Sequence, residues 1–417
     1  MVLALFTFIA KGAVNIAFGV VMLAALLDLA LNRSFRELAE NRYFQALFLP
    51  LIAGLALSIF SDAGLSGPGF FFSRYRFFFL CLPFFLFIRE KKHILYLFSC
   101  LSLSGVFSAA YGFVMAEVSN ASTGFSGLLI VGRNSDLLAS LCLMNTVLLF
   151  ELYLKKRPFK PLATIWLILV LVICTAAILV IKQRAAMLGL FLGWLFYGIF
   201  FNRKFLLGFM VASLVGAFVL KDSDSLMNRI RSIGDRNETS NVARLDLLGS
   251  GIPYVLKNHM VTGAGEKNPE QSFIKFFKQQ DKPFQEKYVK AMKLPGNFHN
   301  SFLQMAAEGG VLYLLLYLSG IGYVLFKMFL ELSDPERRIC RIGSMTVTLA
   351  GIVIFFFHGE LYRYGGLVFY MALMSGCIRL IQPDPSPVVA EMEKITDKPA
   401  IYGSQGPIPP AASRSDR

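Results

Sequence analysis

The chain has 417 residues, 55% of them hydrophobic, with a mean hydropathy of +0.58 and a formal net charge of +14. That composition is too apolar for an ordinary soluble protein, and runs of roughly 18 to 25 apolar residues, long enough to cross the hydrocarbon core of a bilayer, recur along most of it. The excess of Lys and Arg reads as a topology signal, not as a nucleic-acid footprint.

The expected architecture is therefore an all-α integral membrane protein. Segments 12–31, 44–61, 70–88, 93–115, 127–153, 162–181, 185–201, 204–220, 303–329, 342–358 and 364–382 read as transmembrane helices, eleven in all. Residues 1–10 are apolar too and, with Lys11 as the break, form either a second pass or a longer tilted helix, so the bundle has about 11–12 spans. Residues 1–31 are too long and continuous for a cleavable signal peptide, and no small-residue cleavage site follows them. The connections 32–42, 89–92, 155–160, 202–204 and 331–341 are short, rich in Lys or Arg and alternate along the chain. Those at 61–69 and 115–124 carry almost none. Positive-inside counting places the basic set in the cytoplasm and the long loop 221–300 on the other side.

This divides the chain into an N-terminal bundle (1–220), the loop (221–300), C-terminal membrane helices (301–382) and a tail (383–417) rich in Pro, Ser and charge. The tail cannot bury a core and is expected to be disordered in the cytoplasm. The loop is not low-complexity. Val242, Leu245, Leu248, Ile252, Val255 and Leu256 recur at helical spacing, interrupted by Gly249 and Gly251, and 271–290 is a mixed aromatic and basic stretch expected to be helical. The loop thus reads as a small, mostly helical cap. The six cysteines, Cys81, Cys100, Cys142, Cys174, Cys340 and Cys377, lie in or beside apolar segments, so no disulfide framework is implied for the cap. No Cys/His spacing of the zinc type occurs, and no metal or cofactor is expected.

Three positions carry candidate chemistry. His299, one of only four histidines, stands where the loop meets the next apolar helix. An imidazole at a membrane–water boundary can take a proton near neutral pH. It could equally be a polar residue at a helix start, with Asn300 and Ser301 as N-cap candidates. Arg184 lies between two apolar spans on the outer side, where it is either a snorkelling interfacial arginine or a holder of phosphate oxygens, and Lys182 doubles the local charge. Arg244 lies near the start of the cap's amphipathic segment and could be an ordinary solvated arginine. Weaker signals are Asp222 and Asp224 as an acidic pair, His259 and His358 as companions of His299 in a metal site that no spacing supports, Arg74 and Arg76 near a span's outer end, and Glu360, Tyr362 and Arg363 at another outer turn. The chain shows no internal repeat and no paired broken helices, and most spans are uniformly apolar, which argues against a carrier.

His299-Asn300, nine residues, then Gly310-Val311 closes the loop. Gln183-Arg184-Ala185 precedes it, and Asn241-Val242-Ala243-Arg244-Leu245 and 257–265 lie within it. Together these resemble the O-antigen ligases of Gram-negative bacteria (the WaaL-like family), part of a superfamily with O-antigen polymerases and protein O-oligosaccharyltransferases. The resemblance covers the architecture broadly and the motifs over 181–311. It departs at Val261, where many relatives carry proline, and in lacking a tryptophan often found after the loop arginine.

The resemblance implies a GT-C-like integral-membrane glycosyltransferase, multi-pass in the inner membrane, with its site facing the periplasm. The donor would be O-antigen on undecaprenyl diphosphate and the acceptor a sugar hydroxyl of lipid A–core, both amphiphiles surrounded by membrane lipids. It implies three catalytic residues in an inverting, metal-independent single displacement: His299 as general base, and Arg184 and Arg244 holding the diphosphate and stabilising the charge on the leaving group, with Lys182 and Asn300 also binding substrate. A covalent glycosyl-enzyme would need a carboxylate, and Glu308, the nearest, is expected to point into the bundle. The polymerase and protein-modifying activities share this chemistry and differ in acceptor. The single loop and short tail favour the ligase.

Overall fold

In a bilayer every backbone N–H and C=O must be satisfied within its own segment, which apolar runs of this length achieve as helices. The computed structural model describes residues 1–7, 11–32, 35–118, 135–154, 161–181, 183–219, 228, 232–233, 235, 238–265, 269–289, 298–335, 337–358, 361 and 366–377. Among these there is no strand. The membrane part contains α1 (Val2–Phe6), α2 (Lys11–Asn32), α3 (Phe35–Glu40), α4 (Arg42–Leu57), α5 (Gly67–Tyr75), α6 (Cys81–Phe87), α7 (Lys91–Val118), α8 (Ser135–Leu154), α9 (Pro161–Ile181), α10 (Arg184–Phe200) and α11 (Arg203–Val219). The cap contributes α12 (Thr239–Asn258), α13 (Glu270–Lys278) and α14 (Lys282–Lys287), and the chain returns through α15 (Ser301–Gly309), α16 (Val311–Leu330), α17 (Arg338–Phe356) and α18 (Leu367–Cys377).

Seven described helical stretches are long and apolar enough to cross a membrane: Gly12–Asn32, Arg42–Phe60, Gly64–Phe87, Lys92–Val114, Pro161–Ile181, Val311–Leu330 and Arg338–Phe356. Arg184–Phe200 and Leu367–Cys377 are shorter apolar helices. The protein is thus an all-α polytopic membrane protein. Of the apolar start, the described residues form α1, a five-residue helix ending at Phe6, and residues 8–10, which join it to α2, lie outside the described residues. The tail, Lys182, Asp222, Asp224, Glu360, Tyr362 and Arg363 lie outside the described residues.

The centre of the bundle is α17, which packs against α18, α10 and α8. Small residues permit the approach. A Cβ on Gly189 would collide with Ile354, and one on Gly193 with Leu143 and Ala350. Burial of α8 explains its composition. Its Ser140, Asn145 and Thr146 are buried and turn their side chains back to carbonyls four residues earlier, at 3.0, 2.8 and 2.8 Å. Glu151 at its far end accepts a hydrogen bond from the Tyr197 hydroxyl at 3.1 Å. A buried helix can carry such groups because each finds a partner inside the protein.

One expected span is not continuous. Segment 303–329 divides into α15 and α16 at Gly310, whose φ of 92° is open to glycine and strained for other residues. A Cβ there would strike the Val261 carbonyl, and one on Gly263 would strike the backbone of Glu308 and Gly309. The chain leaving α12 therefore lies directly against the break and satisfies it. The amide of Val311 donates to the His259 carbonyl (3.1 Å) and that of Leu312 to Met260 (3.2 Å), while Ala264 donates to the Ala307 carbonyl (2.9 Å). The helical period alone favours an unbroken span. The backbone crossing makes two helices of it, and this crossing is what the Gly310 and Gly263 positions of the motif serve.

Above the break the cap has its own core. Leu247, Tyr254 and Val255 of α12 pack with Phe273, Phe276 and Phe277 of α13 and with Phe298, Leu303, Ala306 and Ala307. The stretch 241–256 is a helix as its spacing predicts, and 271–290 begins as two short helices. Burying this many aromatic rings stabilises the cap by about 1.5–3 kcal/mol per large side chain before chain entropy is subtracted.

Candidate functional site

The cap and the bundle enclose a cavity of about 280 Å³ lined by Asp235, Asn241, Arg244, Leu245, Leu248 and Ile233 from the cap. Phe298, His299 and Asn300 at the start of α15 and Phe356 and Phe357 at the end of α17 complete it. The lining is amphiphilic, combining an arginine, a histidine, an aspartate and two asparagines with aliphatic and aromatic side chains. Of the sequence candidates, the fold brings Arg244, His299 and Asn300 to this one cavity.

His299 is the single described non-glycine residue with positive φ, at 50°. Such a conformation costs on the order of 1 kcal/mol and persists where the surroundings fix it. The fixing groups are its neighbours. The Phe298 amide donates to Gln304 Oε1 (3.2 Å), and Asn300 caps α15 by accepting from the Leu303 amide (2.9 Å). Ser301 donates to the His358 carbonyl through both its amide (3.1 Å) and its hydroxyl (2.5 Å). Asn300, not Ser301, is thus the cap among the two candidates. Burial, then the charges of Arg244 and His358, hold the His299 pKa below its ordinary 6.5. At neutral pH the imidazole is therefore predominantly the free base and can accept a proton.

Arg184 stands behind this cavity, outside its lining. It opens α10 with its side chain 9% exposed and is engaged by the segment that leads into α12. Nη1 donates to the Ser232 carbonyl (3.0 Å), Asn241 Oδ1 (3.1 Å) and Glu238 Oε2 (3.2 Å), and Nη2 to Glu238 Oε2 (3.2 Å) and Ser240 Oγ (3.2 Å). Glu238 also caps α12 by accepting from the Asn241 amide (2.9 Å). Burial would raise the Glu238 carboxyl, but the Arg184 hydrogen bond and the Asn241 amide outweigh it and hold the pKa below the ordinary carboxylate value. Asn241 touches both places, accepting from Arg184 and lining the cavity.

Other candidates resolve into structural roles. Arg74 makes a bidentate, buried ion pair with Glu308, with Nε–Oε2 at 2.9 Å, and Tyr75 (3.2 Å) and Gln304 (2.6 Å) also donate to that carboxylate. Glu308 faces into the bundle as expected, and the pair ties α5 to the end of α15. Arg76 donates to Asn15 Oδ1 (3.1 Å) and lies over the Phe77 ring. His259 is buried against the Tyr254 hydroxyl (2.9 Å) in the cap core. What sequence reasoning misses is the setting of His358: its Nδ1 lies 2.7 Å from Oδ2 of the fully buried Asp136, which opens α8. The two residues are far apart in the chain, and no motif joins them.

The fold and the site define a polytopic helical membrane protein whose folded cap covers a cavity bearing a histidine and an arginine at one end of the bundle. Residues 169–318 match the family model described as O-antigen ligase, a stretch running from α9 through the cap into α16 and including Arg184, Arg244 and His299. That match supports assignment to the O-antigen ligase family, whose ligase and polymerase members are glycosyltransferase-like enzymes acting on lipid-linked polysaccharide. No curated protein matches the chain.

Proposed function

We propose that the protein is an O-antigen ligase, transferring polysaccharide from undecaprenyl diphosphate to a sugar hydroxyl of lipid A–core at the periplasmic face of the inner membrane. The observation that carries this reading is the cavity itself. It joins an imidazole whose pKa burial holds below its ordinary value, an arginine and an N-cap asparagine at the bundle end where α12 meets α15.

His299 takes the proton of the acceptor hydroxyl as the oxygen attacks the anomeric carbon. The new C–O bond forms as the bond from that carbon to the diphosphate oxygen breaks, and the electron pair leaves with undecaprenyl diphosphate. Attack from the opposite face inverts the anomeric centre. Arg244 receives the charge that grows on the leaving group, and Asn300 orients the acceptor. Electrostatic donors of this kind contribute about a hundredfold or more each. Arg184 supports the site through Asn241, and Lys182, two residues before it in the chain, adds positive charge for the diphosphate. The apolar residues of the lining suit the lipid portion of an amphiphilic substrate.

The test is complementation of a ligase-null Gram-negative strain by wild type and by His299→Ala, scoring polymer attached to lipid A–core while confirming that lipid-linked polymer accumulates. Wild type restores the ladder and the variant leaves polymer on its carrier. A wild-type chain that restores nothing in a strain with matched substrates overturns the acceptor assignment and moves the polymerase activity forward.

A further inference from the structure

His358 lies one residue beyond the cavity-lining Phe357, and nothing in the reaction described above uses it. Its main chain is locked to the catalytic segment: the carbonyl accepts both the amide and the hydroxyl of Ser301, two residues after His299. The same hydroxyl accepts from the Leu361 amide (3.1 Å), so the turn after α17 is stitched to the start of α15. Its side chain meets Asp136 at 2.7 Å, at an angle outside hydrogen-bond geometry, which makes the contact an ion-pair approach. Asp136 is fully buried at the head of α8, and among the described residues Gln183 Nε2 also reaches its carboxylate, at 3.5 Å. A carboxylate withdrawn from water needs a cation beside it. Of the titratable and charged groups around this point, Arg244 comes from α12 and Asp235 from the segment before it, while Arg184 is committed to Glu238.

We propose that Asp136 and His358 form a carboxylate–imidazolium pair that acts as the positioning partner of His299, a cation fixed beside the catalytic imidazole and anchored to its backbone. The inference rests on His299 being the base. Two features of the site then follow from one device. Ser301 and His358 hold the left-handed backbone of His299, and the fixed positive charge of His358 opposes a second protonation next to it. Gln183 is part of the same arrangement, so the residue before Arg184 connects the head of α10 to the histidine pair through Asp136.

The experiment uses the full chain with 13C-labelled histidine in lipid nanodiscs. Four histidines give four ring signals, assigned by His→Gln variants. We expect the His299 midpoint to rise by roughly half a pH unit or more in His358→Gln and in the near-isosteric Asp136→Asn, a change expected of removing one nearby charge. The acid limb of the transfer rate should move with it. Ser301→Ala, which loosens the backbone anchor without changing charge, should lower the rate and leave the midpoint in place. An unchanged His299 midpoint in His358→Gln overturns the proposal. A Ser301→Ala shift as large as that of His358→Gln also overturns it, because anchoring alone would then suffice. An effect of His358→Gln without one of Asp136→Asn removes the carboxylate from the pair. If His299→Ala itself still transfers polymer, the assignment of His299 as base fails while the ring titration still reads the pair, so the two failures are distinguishable.

Discussion

Arg184 and Arg244 both flank the entry of the cap, yet the protein treats them differently. Arg184 is wrapped by the segment before α12 and by that helix's own first turn, and its guanidinium is matched by a carboxylate, a carbonyl and side-chain oxygens. Arg244, one turn further along α12, presents itself to a cavity shared with His299. The difference is between a charge used to close a structure and a charge on the cavity wall, where the proposed reaction would bring the substrate phosphate. Two arginines of similar sequence prominence need not do the same work.

The largest effect we expect separates them on rate. Arg244→Ala should lower polymer transfer by roughly 10²–10³-fold, the cost of removing one donor aimed at a leaving group. A variant that transfers normally would remove Arg244 from the site.

Arg184→Ala should act through structure first. It leaves Glu238 and the first turn of α12 without their cation, and part of the pair is open to solvent, so we expect about 1–3 kcal/mol of destabilisation. Glu238→Gln sharpens the point because it keeps Arg184. If Arg184 only holds the cap, stability and transfer fall together. If it also grips the diphosphate during turnover, releasing it from Glu238 lowers the KM for the lipid-linked donor, by about fivefold for 1 kcal/mol of competition removed, while stability still falls. Differential scanning fluorimetry beside donor-dependence kinetics distinguishes these outcomes.

The same contrast shows how far the sequence carries. Hydropathy reveals helices and their order because lipid leaves the backbone few alternatives, and the period of 241–256 gives α12 because one face of it packs into the cap core. The motif around His299 is legible since it is local: histidine, N-cap and glycine break follow one another in the chain. The break at Gly310 is not visible as a break, because apolar residues run through it and its cause is a second strand of backbone at 259–265. Asp136 is legible only as a polar residue early in an apolar helix, and His358 only as one of four histidines. Their meeting depends on how α8 and α17 pack, which periodicity does not encode. The partners of Arg184 are a packing outcome as well.

The smallest expected effect divides two histidines that are depressed for different purposes. Burial lowers the pKa of His259 below 6.5, as burial together with Arg244 and His358 lowers that of His299. For a base depressed on folding, the unfolded chain binds more protons between the two pKa values. Stability is therefore full above about pH 6.5 and is lost as pH falls towards the folded-state pKa, with a slope of up to about 1.4 kcal/mol per pH unit for each group. His259 sits in the cap core against Tyr254, so His259→Gln should flatten the dependence of Tm on pH between about 5 and 7 and leave the acid limb of transfer where it is. The His299 titration should instead set that limb, placing half-maximal transfer below pH 6.5. If His259→Gln moves the acid limb of the rate, the cap core and the cavity titrate as one unit, and the division drawn between structural and catalytic charge fails for the histidines as well as for the arginines.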